Sequence, residues 1–160
     1  MAVIRTHYID ASAIVKLLVD EDGSTTVRTY HSSHAVFWTT ALCFSETLGV
    51  LKTKFVKKLL SSEQYFAACE ELMGHLRGRT LNLEDMDISE RHVFDEVESL
   101  GTKHSLDVSD AYQLVTLKHG GLSRMEGGSR PILVTADRSL AVAARAEGLR
   151  AWDCLNEAVP

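Results

Sequence analysis

Apolar residues fall into two rhythms along this chain. Short unbroken runs of β-branched and aromatic residues read as strands covered on both faces: Thr6 to Asp10 (with Val3 and Ile4 just before), Ala35 to Thr39, and Pro131 to Thr135. Elsewhere the apolar spacing is helical. Ile14, Leu17 and Leu18 predict a helix over Ala11 to Val19. Gly23 breaks the chain, and Ser24 to Ser32 is a second, polar helix capped by Ser24 or Thr25. Thr39 or Thr40 caps a long helix from Ala41 to Lys58, and Ser61 with Gln64 resembles a capping box opening another through Leu76. Val93, Val97 and Leu100 mark a helix over Ser89 to Gly101; Ala111, Leu114 and Val115 mark one over Asp107 to Lys118, ended by Gly120 and Gly121. Gly78 to Met86 holds a short strand, Leu122 to Arg130 a loop, Ser139 to Glu147 a helix closed by Gly148, and Arg150 to Trp152 a last strand.

Strands alternating with helices predict an α/β fold. A central parallel sheet of four to five short strands carries helices on both faces, three layers in one domain over residues 1–160. In such sheets ligands gather beyond the carboxyl ends of the strands, where chain direction switches. Asp10 and Asp137 lie at or just after strand ends, Glu46 about two turns into the helix after the second strand, and Asp110 in a helix's first turn. One rim can therefore hold all four.

Each acid also has an ordinary use. Asp10 and Asp137 are good N-caps, and Arg138 is a ready partner for Asp137. Asp107 caps its helix while Asp110 takes the favourable third position of the first turn. Glu46 has no capping role: it is the only charged residue between Ala35 and Leu51, so its carboxylate is expected to be largely desolvated, with an ion pair to Lys16 as the plain alternative. As a set, converging carboxylates raise one another's pKa values, and Mg²⁺ or Mn²⁺ with oxygen ligands relieves the repulsion. Ser12 and Thr135 suit the hydroxyls that hold such carboxylates or their waters, and Lys16 and Arg138 are candidate contacts to substrate phosphate.

Composition narrows the field. With 45% hydrophobic and 24% charged residues the chain is an ordinary globular one, and a net charge of -5 argues against a binder held to nucleic acid by bulk charge. It leaves open an enzyme acting on nucleic acid, since a clustered acidic site would account for much of the excess. Cys43, Cys69 and Cys154 are odd in number and far apart, as expected of free thiols in a reducing cytosol. The opening residues are too short and polar for a signal peptide and no apolar run reaches membrane length; the expectation is a cytoplasmic protein without membrane contact. The seven histidines lack zinc-site spacing, and dinucleotide, Walker and nucleophile-elbow motifs are absent. The basic stretch Lys52 to Lys58 reads more readily as a solvated helix end than as an RNA groove; Phe55 and Leu59 are candidates to meet a partner chain, and Trp38 and Trp152 core residues.

Four segments in order over nearly the whole chain, Tyr8 to Leu18, Ser45 with Glu46, Ser109 to Leu114, and Leu133 to Leu140, resemble the PIN-domain ribonuclease family, most of all its VapC-type toxins. The resemblance implies a PIN-like fold and a Mg²⁺- or Mn²⁺-dependent endoribonuclease that hydrolyses RNA phosphodiesters. It further implies the toxin of a type II toxin–antitoxin pair, commonly a homodimer, silenced by a cognate antitoxin protein. Asp10, Glu46 and Asp110 take the places of the three core metal-binding acids, Asp137 that of the fourth, and Ser12 and Thr135 match the family's hydroxyls. Asp107 is an extra acid able to share or replace a ligand role.

Rival readings stand beside it. A PIN-fold RNA-processing nuclease without a toxin role uses the same residues. An RNase H-like nuclease gathers similar acids but needs antiparallel hairpin strands between the first Asp and the Glu, where Ala11 to Val19 has helical period. A non-catalytic binding module would leave the acids as caps or as holders of a structural cation. A receiver domain wants paired acids at the first strand's end, and Asp10, Ala11 and Ser12 offer no pair.

Overall fold

The computed structural model describes residues 5–34 and 36–160. Five short strands, β1 (His7–Ile9), β2 (Phe37–Thr39), β3 (Leu81–Leu83), β4 (Ile132–Thr135) and β5 (Arg150–Asp153), form one sheet in the order β3-β2-β1-β4-β5. All four pairings are parallel, with Tyr8 opposite Trp38 on one side and Leu133 on the other. Helices α1 (Ala11–Leu18), α2 (Ser24–Ser32), α3 (Ala41–Val56), α4 (Ser62–Arg77), α5 (Arg91–His104), α6 (Val108–His119) and α7 (Arg138–Ala146) cover its faces.

The period of two along each strand divides the interior into two cores. Ile9, Phe37, Ile132, Val134 and Trp152 face α1 to α4, joining Ile14, Val27, Leu51 and Leu72. Tyr8 and Leu133 face the opposite way, joining Val93, Val97, Leu114, Val115 and Leu140 of α5, α6 and α7. This is the expected three-layer arrangement. The helical α1 directly after Asp10, in a sheet with no antiparallel pairing among the described residues, removes the hairpin that an RNase H-like fold requires.

Local signals set most boundaries. Thr40 caps α3 by accepting from the Cys43 amide, and Ser61 with Gln64 forms the complete capping box of α4. Three expectations need correction. The cap of α2 is Gly23, at φ +81, while the Ser24 hydroxyl instead donates to the Val19 carbonyl at 2.8 Å and accepts from the Glu21 amide. Helix α3 stops at Val56 because Lys58 turns to φ 60. The loop after α6 contains two short 3-10 turns, Gly121–Arg124 and Gly127–Ser129. Trp152 is core and Trp38 partly buried against the second core. Val3, Ile4 and Ala35, read as strand, lie outside the described residues.

Candidate functional site

The sheet order has its switch point between β1 and β4. From β1 the chain builds outward to β2 and β3, then returns to add β4 and β5 on the other side. The loops leaving β1 and β4 therefore part at one place on the carboxyl edge, where open α/β sheets take their ligands. Asp10 ends the first loop and Asp137 the second.

Asp10 is 3% exposed and is the most heavily bonded acid of the set. As N-cap of α1 it accepts from the Ser12 amide at 3.2 Å and from the Ser12 hydroxyl. Its Oδ2 also accepts from the Thr135 hydroxyl at 3.0 Å, and its Oδ1 from Gln113 Nε2 at 3.2 Å. Thr135 in turn accepts from the Asp137 amide, and Ser12 Oγ from the Ala136 amide, both at 2.9 Å. The two hydroxyls thus lock the β1 and β4 loops together around one carboxylate. Asp137 caps α7 through the Ser139 and Leu140 amides, and Asp107 caps α6 through the Asp110 amide. Capping and site-building coincide in Asp10 and Asp137.

Glu46 lies on α3 and accepts from the Ser109 hydroxyl of α6 at 2.9 Å. The Cys43 sulfur stands 3.8 Å from Ser109 Oγ and 3.9 Å from Asp10 Oδ1, so one thiol separates the Glu46 pair from Asp10. Burial pushes that thiol up to about 12, with Asp10 adding to the shift, so it stays protonated. Contrary to expectation, Glu46 is solvent-exposed, and Lys16 is buried in an ion pair with Glu21 at 2.8 Å rather than with Glu46. The helix turns Glu46 toward the rim, away from the apolar neighbours that suggested desolvation, though partial burial still raises its pKa and Asp10, Asp107 and Asp137 raise it further.

Asp110, half-buried, carries the clearest sign of crowding. Burial and then the charges of Asp10, Asp107, Asp137 and Glu46 push its carboxyl up to about 8. Acids from four segments therefore feel one another across one rim, while among the described residues no lysine, arginine or histidine pairs with any of the five. Asp10, Glu46, Asp107 and Asp137 are each turned to their own donors, and among the described residues no three His, Cys, Asp or Glu groups are drawn together closely enough to hold a metal ion as they stand. By chemistry the donor set fits a hard, oxygen-seeking cation.

Two residues at this rim were not singled out from the sequence. Gln113 is fully buried beside Asp10 and its Oε1 has no hydrogen-bond partner among the described residues. It lies off the Ala111, Leu114 and Val115 stripe, one turn after Asp110, on a helix buried on all sides from Ala111 to Leu117, so the stripe gave no signal for it. Ser109 precedes Asp110 and orients Glu46; nothing in periodicity marks it. Arg138 is exposed, without an ion-pair partner among the described residues.

Fold and rim together define a three-layer α/β protein with an acidic centre at the sheet's switch point. The PIN domain family model matches residues 7–146, and the chain belongs to that family. PIN domains are generally metal-dependent nucleases, a fold often found in toxin–antitoxin systems. Among solved structures, PAE2754 from Pyrobaculum aerophilum is 20% identical with a TM-score of 0.60, over 92% of this chain and 90% of that one. FitAcB from Neisseria gonorrhoeae is 15% identical with a TM-score of 0.61, over 94% of this chain and 99% of that one. These likenesses concern the fold. No curated protein matches the sequence. No described helix is long and apolar enough to cross a membrane.

Proposed function

We propose that the protein is a Mg²⁺- or Mn²⁺-dependent endoribonuclease of VapC type, acting in the cytoplasm as the toxin of a type II pair, as a homodimer restrained by an antitoxin protein. The observation that carries the nuclease reading is the carboxylate group of Asp10, Glu46, Asp110 and Asp137, mutually repelling and without a basic partner. Caps alone do not require Asp110 and Glu46 to share a rim; a non-catalytic module would need the acids for a structural cation, and metal-dependent cleavage separates that reading from this one.

In this reading Asp10, Glu46, Asp110 and Asp137 hold the cation. Asp10 is pre-set by Ser12, Thr135 and Gln113. Glu46 and Asp137 turn from Ser109 and the α7 amides to complete the set, and Asp107 lends further negative charge. The cation supplies Lewis acidity for hydrolysing a phosphodiester and offsets the charge that builds on it. Arg138, exposed beside Asp137, is the better-placed contact to phosphate; the Lys16 ammonium is committed to Glu21.

The test is cleavage of single-stranded RNA with Mg²⁺ or Mn²⁺, against EDTA and against Asp10→Asn. Cleavage that needs the cation and falls at least 100-fold in the variant is expected, with the variant still folded by circular dichroism. Full activity of Asp10→Asn would refute the assignment. Restraint by the product of an adjacent small reading frame would carry the toxin reading, and its absence would favour a PIN nuclease with another role.

A further inference from the structure

One face of α3 runs from the acidic rim out to its basic end. Glu46, Gly49, Val50, Thr53, Lys54 and Lys57 recur at helical spacing and, with Leu59, line a single open groove of about 500 Å³. Its length along the helix, eleven rises of about 1.5 Å from Glu46 to Lys57, is about 16 Å. Its floor is low at Gly49, where an added Cβ would meet nothing within 4 Å.

The charges along it change sign. Glu46 stands at the rim end. Lys54 follows two turns on, its ammonium 2.8 Å from Glu21, a carboxylate that Lys16 also contacts at 2.8 Å. One carboxylate between two ammonium groups leaves that junction net positive. Lys57, a turn further, is exposed and has no ion-pair partner among the described residues. The aromatic pair Phe55 and Tyr65 lies on the other side of the helix, with the Lys52 ammonium 5.3 Å from each ring centroid, and takes no part.

We infer that this groove is the track of the substrate RNA strand on one side of the cleavage point, its phosphates following Lys54 and Lys57, with Thr53 next to Lys54 on the same lining. The inference rests on the nuclease reading above and adds a path to it. Charge complementarity and continuity with the rim favour this occupant. A polyanion entering an acidic centre needs compensating cations beside that centre, and α3 supplies them in line. At about 3.4 Å per stacked nucleotide the groove accommodates four to five nucleotides. A contact to phosphate alone makes the track indifferent to sequence.

The test uses full-length protein and a labelled single-stranded oligoribonucleotide of about 20 nucleotides. Binding is followed by anisotropy in EDTA over a salt series, and cleavage in Mn²⁺. Lys57→Ala should weaken binding three- to tenfold whatever the sequence and lower the salt slope by about 0.7, the value per phosphate contact for a single strand. Lys54→Ala with Lys57→Ala should lower it by about 1.4, and KM should rise with kcat within twofold. If the double variant misfolds through loss of the Glu21 contact, Lys57→Ala alone decides. An unchanged slope and KM in a folded Lys57→Ala protein overturns the track. So does unchanged RNA binding with an altered oligomeric state, which would make the groove a protein interface. Wild-type protein that binds RNA with this lysine dependence but never cleaves it would remove the nuclease reading and leave the groove as an RNA site. Absence of both binding and cleavage would remove both.

Discussion

Asp110→Asn replaces the most strained charge of the rim by a neutral side chain of nearly the same shape. The Asp110 carboxyl sits at about 8 in the fold against an ordinary value of 3.8. A folded-state pKa above the unfolded one means stability that is complete below about pH 3.8 and is lost as pH rises toward 8. The full shift corresponds to roughly 5–6 kcal/mol at 1.36 kcal/mol per pH unit. Asp110 is partly open to water, so screening reduces this to about 2 kcal/mol. In EDTA the variant should match wild type near pH 3.5 and exceed it by about 2 kcal/mol at pH 8. At roughly 2–4 °C per kcal/mol for a chain of this size, that is about 6 °C in melting temperature. Denaturant titration at several pH values reads it directly. Millimolar Mn²⁺ should raise the wild-type midpoint at pH 8 and narrow the gap, since a cation relieves the same repulsion. A variant no more stable than wild type at pH 8 without metal would show that the acids do not crowd Asp110 and would remove the main support for the site.

Two further outcomes follow from particular contacts. His7 is 1% exposed with neither ring nitrogen partnered among the described residues; burial, with His34, Arg5, Arg150 and His31 adding positive charge, lowers its pKa to about 4, and His31 is lowered similarly. Stability should be complete above pH 6.5 and fall toward pH 4, and His7→Phe should recover about 2 kcal/mol near pH 4.5, measured by urea unfolding; identical wild-type and variant profiles would contradict this. Ser109→Ala removes the donor that holds Glu46 and should weaken Mn²⁺ binding by calorimetry about tenfold with little change in melting temperature; unchanged affinity would show that Ser109 does not orient Glu46.

The strands and helices were legible because burial on two faces leaves unbroken apolar runs, as in Ile132–Thr135, and because Ser61, Thr40 and Asp107 announce helix starts by their chemistry. The rim was legible in outline for the same reason that parallel sheets place ligands at strand ends: Asp10 and Asp137 sit there by topology. What the sequence hid is direction. Glu46 among apolar neighbours looked buried, yet the 3.6-residue turn carries it outward while Cys43, three residues earlier, points in. Gln113 and Ser109 matter through contacts across 103 and 63 residues of chain, which no local pattern encodes. The basic tail of α3 read as an ordinary helix end because only the packed structure shows that the face shared by Glu46, Lys54 and Lys57 lines an open groove.

The central claim is that Asp10, Glu46, Asp110 and Asp137 close on one cation site. Anomalous diffraction from crystals grown with Mn²⁺ tests it most directly. The expected result is a strong peak at the switch point with carboxylate oxygens of Asp10 and at least two of the others at about 2.0–2.2 Å, absent in Asp10→Asn. Manganese bound only elsewhere, or carboxylates still turned to Ser109 and the α7 amides at saturating Mn²⁺, would contradict it.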